Sequence, residues 1–525
     1  RYPDGPNQTK PGARADLLDQ VNRGTVLFNY IGHGSPFKIS DESVMIDSDA
    51  DLLVNATRPS VFVAASCDVG KFNDPAVVGL GERLILNPKG GCVGVISATE
   101  LASSRQNASL NLTLFQQLFR LDPTTGQFYQ TLSQALLAAK GGSTNSQKYQ
   151  LLGDAGTRLN VPRQFVEVAL EDTNGNPVTA AARGQVIQVR GQVVNRPGGS
   201  LVALDGSASL LIEDDAPLDS IPDCTCPPYP YRAAPMFRGD WALSGGRFSG
   251  RFLVPMDAAK GPRGRVRAYV AGDDGDDGAG SSAVTVTAGA PPADDHAGPR
   301  ITLSFPGGGR AVRPDAVLRV DLSDPSGILI TGHTPRNGIV VTVDENLAER
   351  REITSSFHYA EDSYQSGTAF YPLGGLPAGP HRVRVSASDN LAVGIGAAQH
   401  RSEATLDFEV AENPPLRIMR AFLFPNPITS RGAGAGGNFI IDAPGDSVNT
   451  LVRIYTVAGR LVRTLERFGS LGQAQVPWDG RDDEGAPLAN GVYLFQVLVN
   501  PRAADESSSG RQKAGAEGRF VVVNR

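Results

Sequence analysis

The hydrophobic period of the chain changes near residue 161, and this change divides the sequence into two parts of different architecture. Before that point, apolar runs alternate with segments of helical period, which is typical of an α/β domain with a largely parallel sheet. After it, short apolar segments of period 2 are separated by turn residues, which is typical of β-sandwiches. With 525 residues, the chain is also too long for one hydrophobic core, so we expect several domains.

Two linkers divide the β part further. AGAPPADDHAGP (288–299) and ENPPLR (412–417) are rich in proline and charged residues, as linkers often are. The fold class that follows is multidomain, with one α/β domain and three all-β, Ig-like sandwich domains. The predicted limits are 1–160 for the α/β domain, then 161–290, 297–412 and 415–525 for the three β domains.

The α/β part contains three continuous apolar runs, which predict buried strands. Helices are predicted between and after them, the first with Asp74 as N-cap and Pro75 in its first position. The predicted strands cover 25–31, 60–66 and 91–97, and the predicted helices cover about 74–87, 107–120 and 128–139.

Two of these strands end in reactive side chains. His33 lies between two glycines directly after the first strand, and Cys67 follows the second. Because ligands of α/β sheets bind at the carboxyl ends of the strands, we expect both side chains at one edge. A thiol beside an imidazole can form the thiolate, which is the nucleophile of cysteine peptidases. The backbone N–H groups of Gly34 and Cys67 are the predicted donors to an oxyanion.

The other cysteines and histidines are weaker candidates. Cys92 opens a strand instead of ending one, so we interpret it as a core residue, while Cys224 and Cys226 lack the spacing of a metal-binding CxxC pair. His33 is the only histidine of the α/β part, since the other five are His296, His333, His358, His381 and His400. A lone cysteine in an apolar strand is commonly a core residue too. From position alone, a catalytic and a structural interpretation of Cys67 both stand.

Charge and hydropathy exclude some classes of function. The net charge is −6 with no basic cluster, which argues against nucleic-acid binding. No apolar run reaches the roughly 18–20 residues of a transmembrane helix. The first residues, RYPDGPNQTKPGARADLL, are too polar for a signal peptide and lack an initial methionine. We therefore expect that an upstream part of the protein is missing from this chain.

The residues around His33 and Cys67 resemble the gingipain-type (C25) cysteine peptidases. Four segments are similar, in order, to successive motifs of that family: LLDQVNRGTVLFNYIGHGSP, PSVFVAASCDVGKFNDP, GERLILNPKGGCVGVISATE and YQLLGDAGTRLNVP. Three later segments resemble the β domains of its PorU-like branch, the sortase-like peptidases of the type IX secretion system: DPSGI (324–328), DSYQSGTAFYPLGGLPAGPHRVRVSASDN (362–390) and FPNP (424–427).

The resemblance implies a caspase-like α/β fold, of which 1–160 would be the C-terminal portion, with His33 and Cys67 in the catalytic positions. It implies an enzyme on the extracellular face of the outer membrane that removes C-terminal sorting domains from secreted cargo and transfers the acyl group to lipopolysaccharide. Its expected partners are these protein substrates, surface components of the secretion system and lipopolysaccharide. No cofactor is expected.

The chain departs from the family pattern in its acidic residues. Those that assist the catalytic pair in gingipains lie upstream of the histidine motif, so no third catalytic residue is assigned and this chain by itself is expected to lack part of the active site. We interpret Asp41, Glu42 and Asp68 as solvated loop charges. Glu100, just after the third strand, is a candidate for the substrate pocket.

The C-terminal part resembles FlgD-like Ig modules and type IX sorting domains, on the segments VRIYTVAGRLVRTLE (452–466) and VPWDGRDDEGAPLANGVYLFQVLV (476–499). Trp478 is predicted to pack in the core, with turns at Asp479-Gly480 and Glu484-Gly485. The domain would dock the enzyme to the secretion system. Elsewhere, the acidic run GDDGDDGAG (272–280) suggests structural calcium, although it lacks the ligand spacing of an EF-hand and a solvated hairpin loop is favoured. No other metal is predicted.

Two other functions remain open from the sequence. A secreted gingipain-like protease would carry a C-terminal sorting domain of its own and lose it on maturation. A surface adhesin built of β-sandwiches would carry a degenerate, inactive peptidase domain. Retention of the GHG and SC motifs favours an enzyme over the adhesin.

Overall fold

The computed structural model describes most of the chain: residues 3–122, 128, 131–220, 228–230, 233–292, 295–305, 309–314, 316–333, 337–394, 398–411, 418, 420–430, 435–442, 448–470, 473–501 and 514–524. Cys224 and Cys226 lie outside the described residues. Besides its helices and strands, this part of the chain contains short 3₁₀ turns at Pro6–Gln8, Asp47–Leu52, Leu347–Glu349, Thr354–Ser356 and Ala398–His400.

The first part is an α/β unit. Its elements are α1 (Pro11–Arg23), β1 (Leu27–Ile31), β2 (Gly34–Ser35), β3 (Lys38–Ile39), β4 (Met45–Ile46), β5 (Ser60–Ala65), α2 (Leu80–Leu86), β6 (Cys92–Ala98), α3 (Ser104–Leu118), α4 (Leu132–Ala139), α5 (Thr144–Gln147) and β7 (Tyr149–Gly153). The main sheet has the order β1-β5-β6-β7, in which the first three strands are parallel and β7 is antiparallel. The strands β2, β3 and β4 form a small separate sheet.

Hydrophobic side chains cover both faces of the main sheet, as expected for parallel strands. One cluster includes Phe62 and Val95 and packs towards α1 and α2. The other includes Val63 and Ile96 and packs towards α3 and α4. The three predicted strands and the two later helices are therefore confirmed, apart from shifts of a few residues at their ends.

The first predicted helix was placed too early. Asp74 does not cap a helix, because its side chain accepts the N–H of Ala76 within a local turn. The helix α2 begins only after Gly79, whose N–H donates to the carboxylate of Glu82, 3.1 Å away. The Asp-Pro pair is thus used in a turn, a role that both residues favour as strongly as a helix start. The amphipathic helix α1 was not predicted.

The middle part of the chain is built of strands: β8 (Gln164–Glu171), β9 (Ala180–Ala182), β10 (Val186–Val194), β11 (Gly206–Glu213), β12 (Leu218–Asp219), β13 (Tyr229–Pro230), β14 (Pro235–Leu243), β15 (Arg247–Leu253), β16 (Gly261–Gly272), β17 (Asp277–Thr287), β18 (Arg300–Ser304), β19 (Ala311–Val312), β20 (Val317–Ser323), β21 (Val340–Val343), β22 (Arg351–Glu352), β23 (His358–Tyr359), β24 (Ser366–Pro372), β25 (Gly379–Ser388) and β26 (Arg401–Val410). One sheet runs β15-β10-β8-β17-β16-β11-β14-β23-β24-β20-β18, and a second runs β19-β26-β25-β21-β22.

The long sheet joins the two predicted sandwiches, because β14 of the first pairs with β23 of the second where Gly239 lies opposite Tyr359. One hydrophobic cluster extends across the joint, and in it the rings of Phe237 and Tyr359 are stacked with centroids 4.9 Å apart. An added Cβ at Gly239 would lie 2.9 Å from Cβ of Tyr359. Glycine at this position therefore permits the close approach, and the two units share a core.

Side-chain hydrogen bonds also join the two β units at a second place, away from the β14–β23 pairing. His333, from the second unit, bonds to the buried Asp214 of the first, and the hydroxyl of Thr331 donates to both carboxylate oxygens of Asp257, 2.8 and 2.9 Å away. The hydrogen bond with Asp214 raises the pKa of His333, although burial opposes it. The hydrogen bond therefore favours the protonated form of His333 in the folded state.

The hydrogen bond between His333 and Asp214 predicts that the stability of the β units depends on pH. A histidine whose pKa is raised on folding stabilises the fold fully below its unfolded pKa of about 6.5, and this stability is lost as pH rises through the folded value. We expect the free energy of unfolding of the β units to fall from this source as pH rises from 6 to 8.5. Denaturant titrations at both pH values, with His333→Gln as the comparison, would measure it; an equal pH dependence in the variant would contradict the assignment.

The C-terminal part contains β27 (Arg420–Phe424), β28 (Gly437–Asp442), β29 (Val448–Thr456), β30 (Leu461–Ser470), β31 (Gln473–Trp478), β32 (Gly491–Pro501) and β33 (Ala514–Val522). They form two antiparallel sheets, β27-β28-β31 and β30-β29-β32-β33, around one hydrophobic cluster. Trp478 is buried in this cluster, as predicted. The two predicted turns are also present, since Gly480 and Gly485 have φ of 76° and 80°.

Candidate active site

The register of two parallel strands brings His33 and Cys67 to the same edge of the sheet. In β1 and β5, Leu27 lies opposite Val61, and the pairing continues to Ile31 opposite Ala65. Leu27 and Val61 both pack towards α3. The residues two further on from Ile31 and Ala65 lie just beyond the ends of the two paired strands, at the same level of the sheet. Those residues are His33 and Cys67.

The loops that carry the two residues contact each other directly. The Ser66 hydroxyl donates to the carbonyl of Gly32, 2.9 Å away, and the Tyr30 hydroxyl donates to the carbonyl of His33, 2.7 Å away. At Gly34, an added Cβ would lie 2.2 Å from the Ser66 Oγ and 3.1 Å from the carbonyl oxygen of Cys67. The glycine after His33 is therefore needed for the two loops to approach.

This close approach makes Gly34→Ala a sensitive test of the site. The added methyl group has to push the histidine loop away from Ser66, and displacements of about 1 Å can cost on the order of 100-fold in activity. We expect about a 10- to 100-fold lower rate of substrate cleavage in the full-length protein. Gly142→Ala is the matched control, because nothing lies within 4 Å of a Cβ at Gly142. Equal rates for the two variants would contradict the contact.

Cys67 is half-buried and lies against the start of α3. Its Sγ is 3.3 Å from the N–H of Ala102, which donates to it, and 3.4 Å from the carbonyl of the same residue. Within the described part of the chain, no hydrogen bond joins Sγ to the His33 imidazole, which is exposed. Catalytic hydrogen bonds often form only when substrate binds, so this geometry is compatible with a catalytic pair.

The local acids are held by contacts of their own loops. Glu42 accepts a hydrogen bond from the Ser40 hydroxyl, which lowers the pKa of its carboxyl. Asp68 has a left-handed φ of 56° and lies 3.6 Å from the Lys71 ammonium. Its N–H donates to the carbonyl of Glu100, 3.4 Å away, which places Glu100 beside the Cys67 loop with an exposed side chain. Its place in a substrate pocket remains a prediction, as do the oxyanion donors Gly34 and Cys67.

Cys92 lies at the opposite edge of the sheet. It begins β6 opposite Ser60, which begins β5, and only 8% of its surface is exposed. Burial raises the pKa of its thiol to about 12. A thiol with such a pKa stays protonated at neutral pH, so the structure supports the core role predicted for Cys92.

The acidic run at 272–280 forms a hairpin turn between β16 and β17. Its carboxylates bind the segment that follows the α/β unit: Asp277 accepts the N–H of Arg163 at 3.1 Å, and Asp276 accepts the side-chain amide of Gln164 at 2.9 Å. The hairpin interpretation is thus supported, and two of its acids have partners within the protein.

A different acidic group could hold a cation. Asp295, Asp324 and Asp389 each place a carboxylate oxygen within 4.8 Å of the others, and they are the one such group of three found in the described ranges. Burial is the main cause that raises the pKa of Asp324 to about 7 and that of Asp389 to about 6. Hard divalent cations prefer carboxylate oxygens. No local sequence pattern predicts this group, because its members are far apart along the chain.

The fold and the paired loops define an α/β domain with a cysteine and a histidine at one sheet edge, followed by β domains. Residues 2–160 match the family model described as peptidase family C25, and residues 426–500 match that of the FlgD Ig-like domain. The α/β unit therefore belongs to peptidase family C25, and the gingipain-type recognition from the sequence is confirmed. No curated protein matches the chain.

Several solved structures are similar at low identity. Dimeric latent PorU from Porphyromonas gingivalis is 22% identical with a TM-score of 0.34; the match covers 83% of this chain and 41% of that one. The pro- and mature domains of RgpB from Porphyromonas gingivalis are 15% identical with a TM-score of 0.26; the match covers 52% of this chain and 57% of that one. The chain thus spans less than half of the PorU structure. No described helix is long and apolar enough to cross a membrane.

Proposed function

We propose that the protein is a cell-surface cysteine endopeptidase and sortase of the type IX secretion system. It would act on secreted cargo at the junction with the C-terminal sorting domain. It would release the sorting domain and pass the cargo to water or to an amine of lipopolysaccharide. The observation that carries this proposal is the contact between the His33 and Cys67 loops within a C25 domain.

The reaction would begin with transfer of the Cys67 thiol proton to the His33 imidazole. The thiolate then attacks the scissile carbonyl, and the oxyanion is stabilised by the N–H groups of Gly34 and Cys67. His33 returns the proton to the leaving amine, which departs with the sorting domain. Water or the acceptor amine then attacks the thioester and regenerates the thiol.

Incubating the full-length protein with purified cargo that carries a sorting domain tests the proposal directly. Mass spectrometry of the products should show cleavage at the junction, with a free carboxylate in buffer and a mass increment when an acceptor amine is present. Cargo that stays intact would overturn the enzymatic proposal and favour an adhesin.

The second candidate, a secreted gingipain-like protease, rests on the match of 426–500 to an Ig-like module at the C-terminal end of this sequence. It predicts that this module is removed on maturation, whereas the proposed sortase retains it. The intact mass of the surface form distinguishes the two candidates.

A further inference from the structure

Tyr149 has a buried hydroxyl group that the proposed mechanism does not use. It begins β7 and is 1% exposed. Its ring belongs to the cluster that contains Val63 and Ala98, on the face of the sheet towards α3. The hydroxyl oxygen has no hydrogen-bond partner among the described residues. Leaving a buried polar group unsatisfied is unfavourable, so such a group calls for an explanation.

The strand register places this phenol near Cys67. Tyr149 pairs with Ala98 at the end of β6, and the neighbouring pair on the other side, Ala64 with Ser97, puts Ala65 level with Ala98. Tyr149 is thus two strand spacings, about 10 Å, from Ala65, and Cys67 follows Ala65 by two residues. A phenol and a cysteine side chain together can span most of this distance.

The electrostatics agree with this placement. Burial is the main cause that raises the pKa of Tyr149, and negative charge on Cys67 raises it further. An interaction with the backbone of Ser66, the residue before Cys67, lowers it, although the geometry falls short of a full hydrogen bond. These interactions agree with the strand register in placing the phenol near the turn that carries Cys67.

We propose that Tyr149 is a positioning residue for Cys67, whose phenol orients the cysteine turn and donates a hydrogen bond towards the thiolate when it forms. This inference rests on the proposed function, in which Cys67 is the nucleophile. The thiol proton passes to the His33 imidazole, and the phenol keeps its own proton throughout. The Tyr149 O–H has no hydrogen-bond acceptor among the residues that the structure describes in the resting state, and it gains one when the Cys67 sulfur becomes negatively charged.

Tyr149→Phe removes only the hydroxyl and keeps the ring in the core. The readout is the rate of Cys67 alkylation by iodoacetamide from pH 5 to pH 9, resolved from the other cysteines by peptide mass spectrometry. Loss of one hydrogen bond of about 1 kcal/mol predicts alkylation about three- to tenfold slower at pH 7, with the profile moved to higher pH. Tyr493→Phe is the control, because the Tyr493 hydroxyl donates to the Ala489 carbonyl in the distant C-terminal unit.

An unchanged alkylation profile in Tyr149→Phe would overturn the inference, even if the melting temperature changed, because a purely structural hydroxyl affects stability alone. The readout needs no peptidase activity. A shifted profile in a protein that does not cleave cargo would therefore reject the proposed function while retaining the effect of Tyr149 on the thiol. A shifted profile together with a lower kcat and an unchanged KM would support both.

Discussion

Cys67→Ala is expected to lower the rate of cargo cleavage by about three orders of magnitude or more, because removing the nucleophile leaves only binding and oxyanion stabilisation. The fold should be retained. Cys67 is half-buried in a loop after β5, and its sulfur contacts the backbone of Ala102. Cleavage of sorting-domain cargo by the purified full-length variant, followed by gel and mass analysis, measures the effect.

Cys92→Ala is the matched control for this experiment. It removes the same atom from the same domain, but at the opposite edge of the sheet and inside the core. We expect a loss of about 1 kcal/mol in stability and cleavage within about twofold of the wild type. Cleavage that survives Cys67→Ala but not Cys92→Ala would reverse the assignment of the nucleophile, and cleavage that survives both would remove the cysteine mechanism.

The placement of His33 and Cys67 directly after two parallel strands could be predicted because the relevant signals are local. Each buried strand is a continuous apolar run, and His33 and Cys67 stand directly after two of them. The parallel order β1-β5 then follows from the usual α/β connection. The register aligns the two strand ends, so the residues that follow them lie at one edge of the sheet. The position of Cys92 at the start of a strand could also be predicted from the apolar run that contains it. Trp478 and its glycine turns were predicted for the same reason, since aromatic burial and turn chemistry are expressed within a few residues.

What the sequence did not predict depends on contacts between distant segments. Tyr149 approaches Cys67 only through pairing across two strands, and the acids Asp295, Asp324 and Asp389 come from three separate loops. The core shared by the two middle β units could not be predicted from the sequence, because each unit has its own alternating strands and a linker separates them. The early start predicted for α2 has a local cause, since Asp-Pro is as favourable in a turn as at a helix start. In the structure, Asp74 and Pro75 form a turn, and the helix begins later, at Leu80.

Trp478→Ala is expected to destabilise the C-terminal β unit by about 3–5 kcal/mol, which is the usual cost of removing a large aromatic side chain from a core. The indole is 4% exposed, and its centroid lies 5.3 Å from that of Phe520 and 6.0 Å from that of Phe439. Its N–H donates to the carbonyl of Arg481 at 2.9 Å, which fixes the following turn. Because domains of this size have about 5–15 kcal/mol of stability in total, much of the unit's reserve would be lost.

Hydrogen-exchange mass spectrometry of β32 and β33 measures this effect without disturbance from the other domains. Exchange should accelerate strongly in Trp478→Ala, moderately in Trp478→Phe, and not in Val457→Ala, where the side chain is 68% exposed. If the C-terminal unit docks the enzyme to the secretion system through its folded surface, the same order should appear in the amount of protein retained at the cell surface. Equal exchange in all three variants would mean that the aromatic cluster does not hold the unit together. Normal retention of an unfolded unit would separate docking from this fold.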